Sequence, residues 1–128
     1  MLEPAYFGYW WTRSYASHYD LVVLFMYAQR GRMAKGYWVT FYRSVSDSNA
    51  VVEYAKLAGP AIQAGGGRFL ARGGVVKTYE NGMNLRTVVT EFDSVEKAIA
   101  TFESPAYQAA LKILGGAADR DIRIIEGL

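Results

Sequence analysis

From Met33 onward the apolar and polar positions fall into short, alternating patterns that switch between periods of two and of 3.6. Gly36 to Arg43 alternates Tyr37, Val39 and Phe41 with Trp38, Thr40 and Tyr42, a β-pattern with large residues on both faces. Such a strand belongs in the middle of a sheet. Asp47 is placed to cap a helix over Ser48 to Ala64, in which Val51, Ala55, Ala58 and Ile62 recur at helical spacing. Pro60 lacks an amide hydrogen, so a kink or break is expected near Gly59-Pro60. Gly65, Gly66 and Gly67 stop that helix.

The second half repeats the theme. Arg68 to Arg72 alternates as a strand, with a bulge expected at Gly73-Gly74. Asn81-Gly82 is a tight-turn signal, and Leu85 to Asp93 reads as the returning strand of a hairpin. Ser94 caps a short helix with Val95, Ala98, Ile99 and Phe102 inward. Ser104-Pro105 opens another, with proline at its first position and Tyr107, Leu111 and Leu114 on one stripe. Gly115-Gly116 ends it, and Asp121 to Glu126 closes the sheet.

The element order, βαββαβ, predicts an α+β fold of ferredoxin-like type: a four-stranded antiparallel sheet with the helices on one face. The other face would then expose the apolar side of the first strand. A naked apolar sheet face is larger than a soluble monomer tolerates, so a two-fold homodimer with sheets face to face is expected.

Residues 1–32 read differently. Nine aromatics occur there (Tyr6, Phe7, Tyr9, Trp10, Trp11, Tyr15, Tyr19, Phe25 and Tyr27) without a sustained period. The apolar run Leu21 to Ala28 is far shorter than the roughly 20 residues that cross a bilayer. A signal peptide would need a short basic segment before that run, where Glu3 and Asp20 stand instead. Residues 1–32 are therefore expected to be a leader extension, with Met33 as the true start of a domain over 33–128. An ordered arm that adds a strand or packs its aromatics on a partner is the alternative.

Composition narrows the chemistry. The 128 residues hold 14 basic and 12 acidic side chains, a net charge of +2 without a basic stripe, so nucleic acid is not an expected partner. No membrane association is expected either. There is no cysteine, which removes disulfides, thiol nucleophiles and thiolate metal sites and fits a cytoplasmic setting. The one histidine, His18, precedes Met33, so residues 33–128 can form neither a Ser-His nor a Cys-His pair. No metal site and no cofactor are expected, and no catalytic residue is assigned. The glycine clusters match neither phosphate-binding pattern and read as a helix stop and a bulge.

Four residues stand out as ligand-binding candidates: Arg72, Glu91, Tyr54 and Tyr107. If Asn81-Gly82 centres the hairpin turn, pairing outward sets Val76 opposite Thr87, Gly74 opposite Val89 and Arg72 opposite Glu91. Arg72 would then sit at the mouth of a cleft roofed by the helices near Tyr54 and Tyr107, binding an anionic or enolate oxygen while Glu91 orients it. The plainer reading of Arg72 and Glu91 is a part-exposed ion pair contributing about 0.2–1 kcal/mol, and a bulge at Gly73-Gly74 would separate even that pair. Tyr54 and Tyr107 lie on helical stripes, where tyrosine is more often core than ligand contact.

Several stretches together resemble one family. They are Gly36-Tyr37, Gly66 to Gly74 (GGRFLARGG), Glu91 to Ser94 (EFDS), Ser104-Pro105 followed by Tyr107 to Leu111, and Gly116 to Asp119 with the closing Ile125-Glu126-Gly127. In order and spacing, over Met33 to Leu128, the chain resembles the domain of unknown function 1330 family of the dimeric α/β barrel superfamily. The resemblance implies the same fold and the same dimer, and a start close to Met33. It departs at Ala106, where an acidic residue is common, and at Leu114, near a frequent arginine. It implies no reaction. Two functions stay open: a cofactor-independent enzyme acting on a small aromatic or enolic compound in a cleft between helices and sheet, or a non-catalytic small-molecule-binding or regulatory dimer. A buried carboxylate in the cleft would favour the first, and a wholly apolar cleft the second.

Overall fold

Trp38 organises the core of this protein, and the strand that carries it organises the sheet. β1 spans Gly36–Val45, and its inward positions Trp38, Thr40 and Tyr42 are all buried. The computed structural model describes residues 21–24 and 34–128, so the expected leader (1–32, apart from a helical turn at 21–24) and the expected start at Met33 lie outside the described residues.

The remaining elements are α1 (Ser48–Ala64), β2 (Arg68–Gly73), β3 (Arg86–Phe92), α2 (Val95–Phe102), α3 (Pro105–Leu114) and β4 (Ala118–Glu126). The sheet order is β2-β3-β1-β4, with every neighbouring pair antiparallel. This is the α+β, ferredoxin-like arrangement that the patterns predict. β1 is central, as its two apolar faces require.

The caps form where the sequence places them. Asp47 Oδ1 accepts from the amides of Asn49 at 3.0 Å and Ala50 at 3.2 Å, Ser94 Oγ from Lys97, and Ser104 Oγ from Tyr107. α1, however, runs unbroken through Pro60. Pro60 and Lys56, whose carbonyl loses its helical partner, are both exposed, so water can satisfy that oxygen while Tyr54, Ala58, Ala61 and Ile62 hold the buried face. Ile99, expected inward on α2, is 42% exposed, and Thr101 takes the buried position.

Side chains at Trp38, Phe92 and Tyr107 lock the layers together. Trp38 stacks on Phe92 with centroids 6.1 Å apart and meets Tyr107 edge-on at 4.9 Å. Burial of a side chain such as Phe92 contributes about 1.5–3 kcal/mol, and each aromatic pair about 0.5–1.5 kcal/mol more. Gly36 lets β1 run beneath the start of α2, since a Cβ there would meet the Ser94 carbonyl oxygen at 2.6 Å.

The β2–β3 connection departs from expectation. β2 ends at Gly73 and β3 begins at Arg86, leaving residues 74–85 as a loop rather than a two-residue hairpin. The turn inside it is centred on Glu80-Asn81, closed by the Gly82 amide donating to the Tyr79 carbonyl at 2.9 Å, with Glu80 at a φ of 53°. The bulge is also displaced. Phe69 pairs with Thr90 but Ala71 with Val89, so Leu70 is the extra residue and not Gly73 or Gly74.

Candidate functional site

That bulge decides which side chains can act together. Arg68 and Arg72 are four residues apart and would share a face in a regular strand. With Leu70 inserted between them, Arg68 pairs across from Glu91 on one face while Arg72 pairs across from Val88 and turns to the other. The expected Arg72–Glu91 pair therefore does not form, and Glu91 takes Arg68 instead.

The face away from the helices carries Tyr37, Val39 and Phe41 of β1 beside Val89 and Glu91 of β3. Arg68 grips Glu91 through two nitrogens at 2.8 and 3.1 Å and reaches Asp93 at 3.1 Å. Tyr37 donates its hydroxyl to Glu91 at 3.1 Å, and Lys35 donates to Asp93 at 3.2 Å. The Arg68 bonds hold the Glu91 carboxyl below its ordinary range against the opposing effect of burial. Lys35 and then Arg68 depress Asp93 to about 2. Glu91 is thus an ionised, fully engaged carboxylate on the sheet face opposite Arg72.

The helix-covered face holds a cavity of about 210 Å³ between α1 and the sheet. Its floor is Trp38, Thr40 and Tyr42 of β1 with Val88 and Thr90 of β3, and its wall is the Val51, Tyr54, Ala55 and Ala58 side of α1. Arg72 enters from β2, Arg86 from β3 and Arg120 from β4. Arg86 and Arg120 flank the Tyr42 ring at 5.7 and 5.5 Å, in the row where both pair with Tyr42 across the sheet. Arg72 lies over Phe69 at 4.6 Å. Among the described residues no carboxylate lines the cavity and none of these three arginines forms an ion pair. The other described arginines, Arg43, Arg68 and Arg123, are all paired with acids.

Tyr54 and Tyr107 are brought together behind Arg120. Their hydroxyl oxygens are 2.7 Å apart, and Arg120 Nη1 donates to the Tyr54 oxygen at 3.0 Å. Burial, aided by the Tyr54 oxygen, pushes the Tyr107 phenol well above its ordinary value, so it is a neutral hydroxyl. Burial works against the Arg120 charge, but the Tyr54 and Tyr107 oxygens outweigh it and raise the guanidinium pKa. Of the four sequence candidates, Arg72 and Tyr54 line the cavity, Tyr107 supports Tyr54 from the core, and Glu91 lies elsewhere.

Arg86, Arg120, Thr40 and Thr90 complete the site and were not singled out by sequence. Arg120 precedes the expected start of the last strand, but β4 begins at Ala118 and alternates Arg120, Ile122 and Ile124 onto the helix face. Longer alternation was the signal. Among the described residues no group of three or more Asp, Glu or His side chains converges to hold a metal, and no helix is long and apolar enough to cross a membrane.

Comparison with solved structures returns the same fold. A Rhodopseudomonas palustris protein of unknown function is 17% identical, with 83% of this chain and 92% of that one covered and a TM-score of 0.59. A dimeric ferredoxin-like protein of unknown function from Thermobifida fusca is 20% identical, with coverage of 73% and 91% and a TM-score of 0.50. No curated protein matches the chain. The model of the domain of unknown function DUF1330 matches residues 35–128, which include every strand and helix of the sheet layer, and the chain belongs to that family.

Proposed function

We propose that this domain binds a small, partly aromatic or enolic anion in the cavity between α1 and the sheet. One observation carries the reading: three arginines that have no carboxylate partner among the described residues converge on a single cavity whose remaining lining is mostly apolar and aromatic. Guanidinium groups recognise carboxylate or enolate oxygens through paired hydrogen bonds, and Trp38, Phe69 and Val88 offer a surface for a flat apolar body. A cavity of about 210 Å³ is below the roughly 300–1,000 Å³ of drug-sized sites, so the ligand is small.

Among the described residues the lining contains no carboxylate, imidazole or thiol, which favours holding or polarising a ligand over general-base chemistry. If the site turns its ligand over without a cofactor, phenol and guanidinium groups must do the work. The assembly that fits is a homodimer, in which a second copy covers the Tyr37, Val39 and Phe41 face. The dimeric Thermobifida fusca relative supports that reading of the apolar surface.

The test pairs an acid with its neutral amide. Calorimetry should show 3-phenylpropionate binding and 3-phenylpropionamide binding at least about tenfold more weakly, the ratio of one lost charge-assisted hydrogen bond. Arg72→Met should weaken the acid about tenfold with little change in Tm. Equal binding of acid and amide, or an unaltered acid affinity in Arg72→Met, overturns the proposal.

A further inference from the structure

Hydrogen-bond direction in the Tyr54, Tyr107 and Arg120 chain carries a consequence for ligand choice. A guanidinium has only hydrogens to offer, so Arg120 donates to the Tyr54 oxygen at 3.0 Å. The contact of 2.7 Å between the two phenols can be made in either direction. If Tyr54 donated, the Tyr107 hydrogen would need another acceptor. Tyr107 is 0% exposed, packed against Trp38 and Phe102, and its hydroxyl has no acceptor other than Tyr54 among the described residues. A buried donor left unmatched is the costlier arrangement, so Tyr107 donates to Tyr54. The Tyr54 oxygen then accepts twice, and its own hydrogen is left to the cavity that Tyr54 lines.

A second observation points the same way. Thr40 and Thr90 form part of the cavity floor at 6% and 2% exposure, and neither hydroxyl has a protein hydrogen-bond partner among the described residues. A hydrocarbon body pressed on that floor would leave them unsatisfied. A ligand with an oxygen beside its anionic group would satisfy them.

We infer that Tyr54 presents its hydroxyl hydrogen to the ligand, with Tyr107 as its positioning residue, so that the cavity selects 2-oxo or enolic acids over plain carboxylates. This rests on the anion-binding reading above and adds what the arginines alone do not supply, an oriented neutral donor facing a hydroxyl-bearing floor. The oxo or enol oxygen accepts from Tyr54, and the carboxylate lies among the arginines. No covalent step is involved.

Phenylpyruvate and 3-phenylpropionate differ by that oxo group and decide the matter by calorimetry. The unaltered protein should bind phenylpyruvate about tenfold more tightly, and Tyr54→Phe should remove the preference so that the two acids bind alike. Tyr107→Phe, which leaves the Tyr54 hydrogen in place but frees its orientation, should reduce the preference without removing it. If the unaltered protein binds both acids equally, or if Tyr54→Phe keeps the preference, the inference is overturned while anion binding stands. That first comparison needs no variant, so it holds even where Tyr54→Phe does not fold. If neither acid binds better than 3-phenylpropionamide, the anion-binding reading falls and this inference with it.

Discussion

Removing one hydroxyl at a time from the two buried phenols should give unequal losses of stability, because only one removal strands a polar atom. Tyr107→Phe deletes a donor whose acceptor, Tyr54, keeps its bond from Arg120 at 3.0 Å. Nothing buried is left unmatched, so the cost is one net hydrogen bond, about 0.5–1.5 kcal/mol. Tyr54→Phe leaves the Tyr107 hydroxyl in a core position that is 0% exposed and takes the acceptor from Arg120 as well. An unmatched buried donor costs about 1–3 kcal/mol. The double variant has no stranded phenol, so its loss should fall short of the sum of the single losses by about 0.5–1.5 kcal/mol. For a domain of this size, about 4–8 °C accompanies each kcal/mol, so the single variants should differ by several degrees in Tm. Urea unfolding at one fixed protein concentration, which holds the mass-action contribution of any association constant between variants, gives the midpoints and shows whether the slope is unchanged. If Tyr107→Phe costs as much as Tyr54→Phe, or if the losses add, the assigned bond direction is wrong.

The outer sheet face and the acid limb of stability give two more tests. The unaltered chain should scatter light as a dimer at micromolar concentration, with an interface of about 1,200–2,000 Å² or more, and Val39→Asp should yield a monomer; a stable monomer of the unaltered chain refutes the assembly. Asp93, depressed to about 2 by Lys35 and then Arg68, is ionised more readily in the folded chain than in the unfolded one, so its contribution is present above an unfolded pKa near 3.8 and is lost as pH falls towards 2. Glu91 and Asp121 are shifted in the same direction. Asp93→Asn should therefore flatten the loss of stability between about pH 4 and 2, and an unchanged slope there would show that the carboxylate is not held as its contacts imply.

Most of the fold was legible because each element announces itself locally. Alternation at Tyr37 to Tyr42, the caps at Asp47, Ser94 and Ser104, and the glycine stops at 65–67 and 115–116 need no knowledge of distant residues. The register of β2 on β3 does need it. Asn81-Gly82 does mark a turn, but the turn is centred one residue earlier and sits inside a loop from 74 to 85, so counting outward from it misplaces every pair. The bulge at Leu70 carries no glycine to advertise it. The same distance in sequence hid the site: Tyr54 and Tyr107 are named by their helical stripes, whereas Arg86 and Arg120 come to flank one ring only because both pair with Tyr42.

The two sheet faces treat charge in opposite ways, and this is the strongest physical argument for giving them different roles. Arg68 and Arg123 turn to the face of Tyr37, Val39 and Phe41, where Glu91 and Asp121 engage them at 2.8 and 2.9 Å, and Arg43 also reaches Asp121. Charges matched in this way can be covered by another surface without stranding an ion, which suits a face that a second copy would bury. Arg72, Arg86 and Arg120 turn to the helix side, where aromatic rings but, among the described residues, no carboxylates receive them. Covering those three with apolar groups would be costly, whereas an incoming anion supplies the missing partner. Leu70 sets this division in β2: without the extra residue Arg68 and Arg72 would share a face, so that with Arg68 held by Glu91 the outer sheet face would gain an unmatched cation and the cavity would lose one. A bulge beside the candidate site therefore separates the arginine that engages Glu91 and Asp93 on one sheet face from the arginine that lines the cavity on the other.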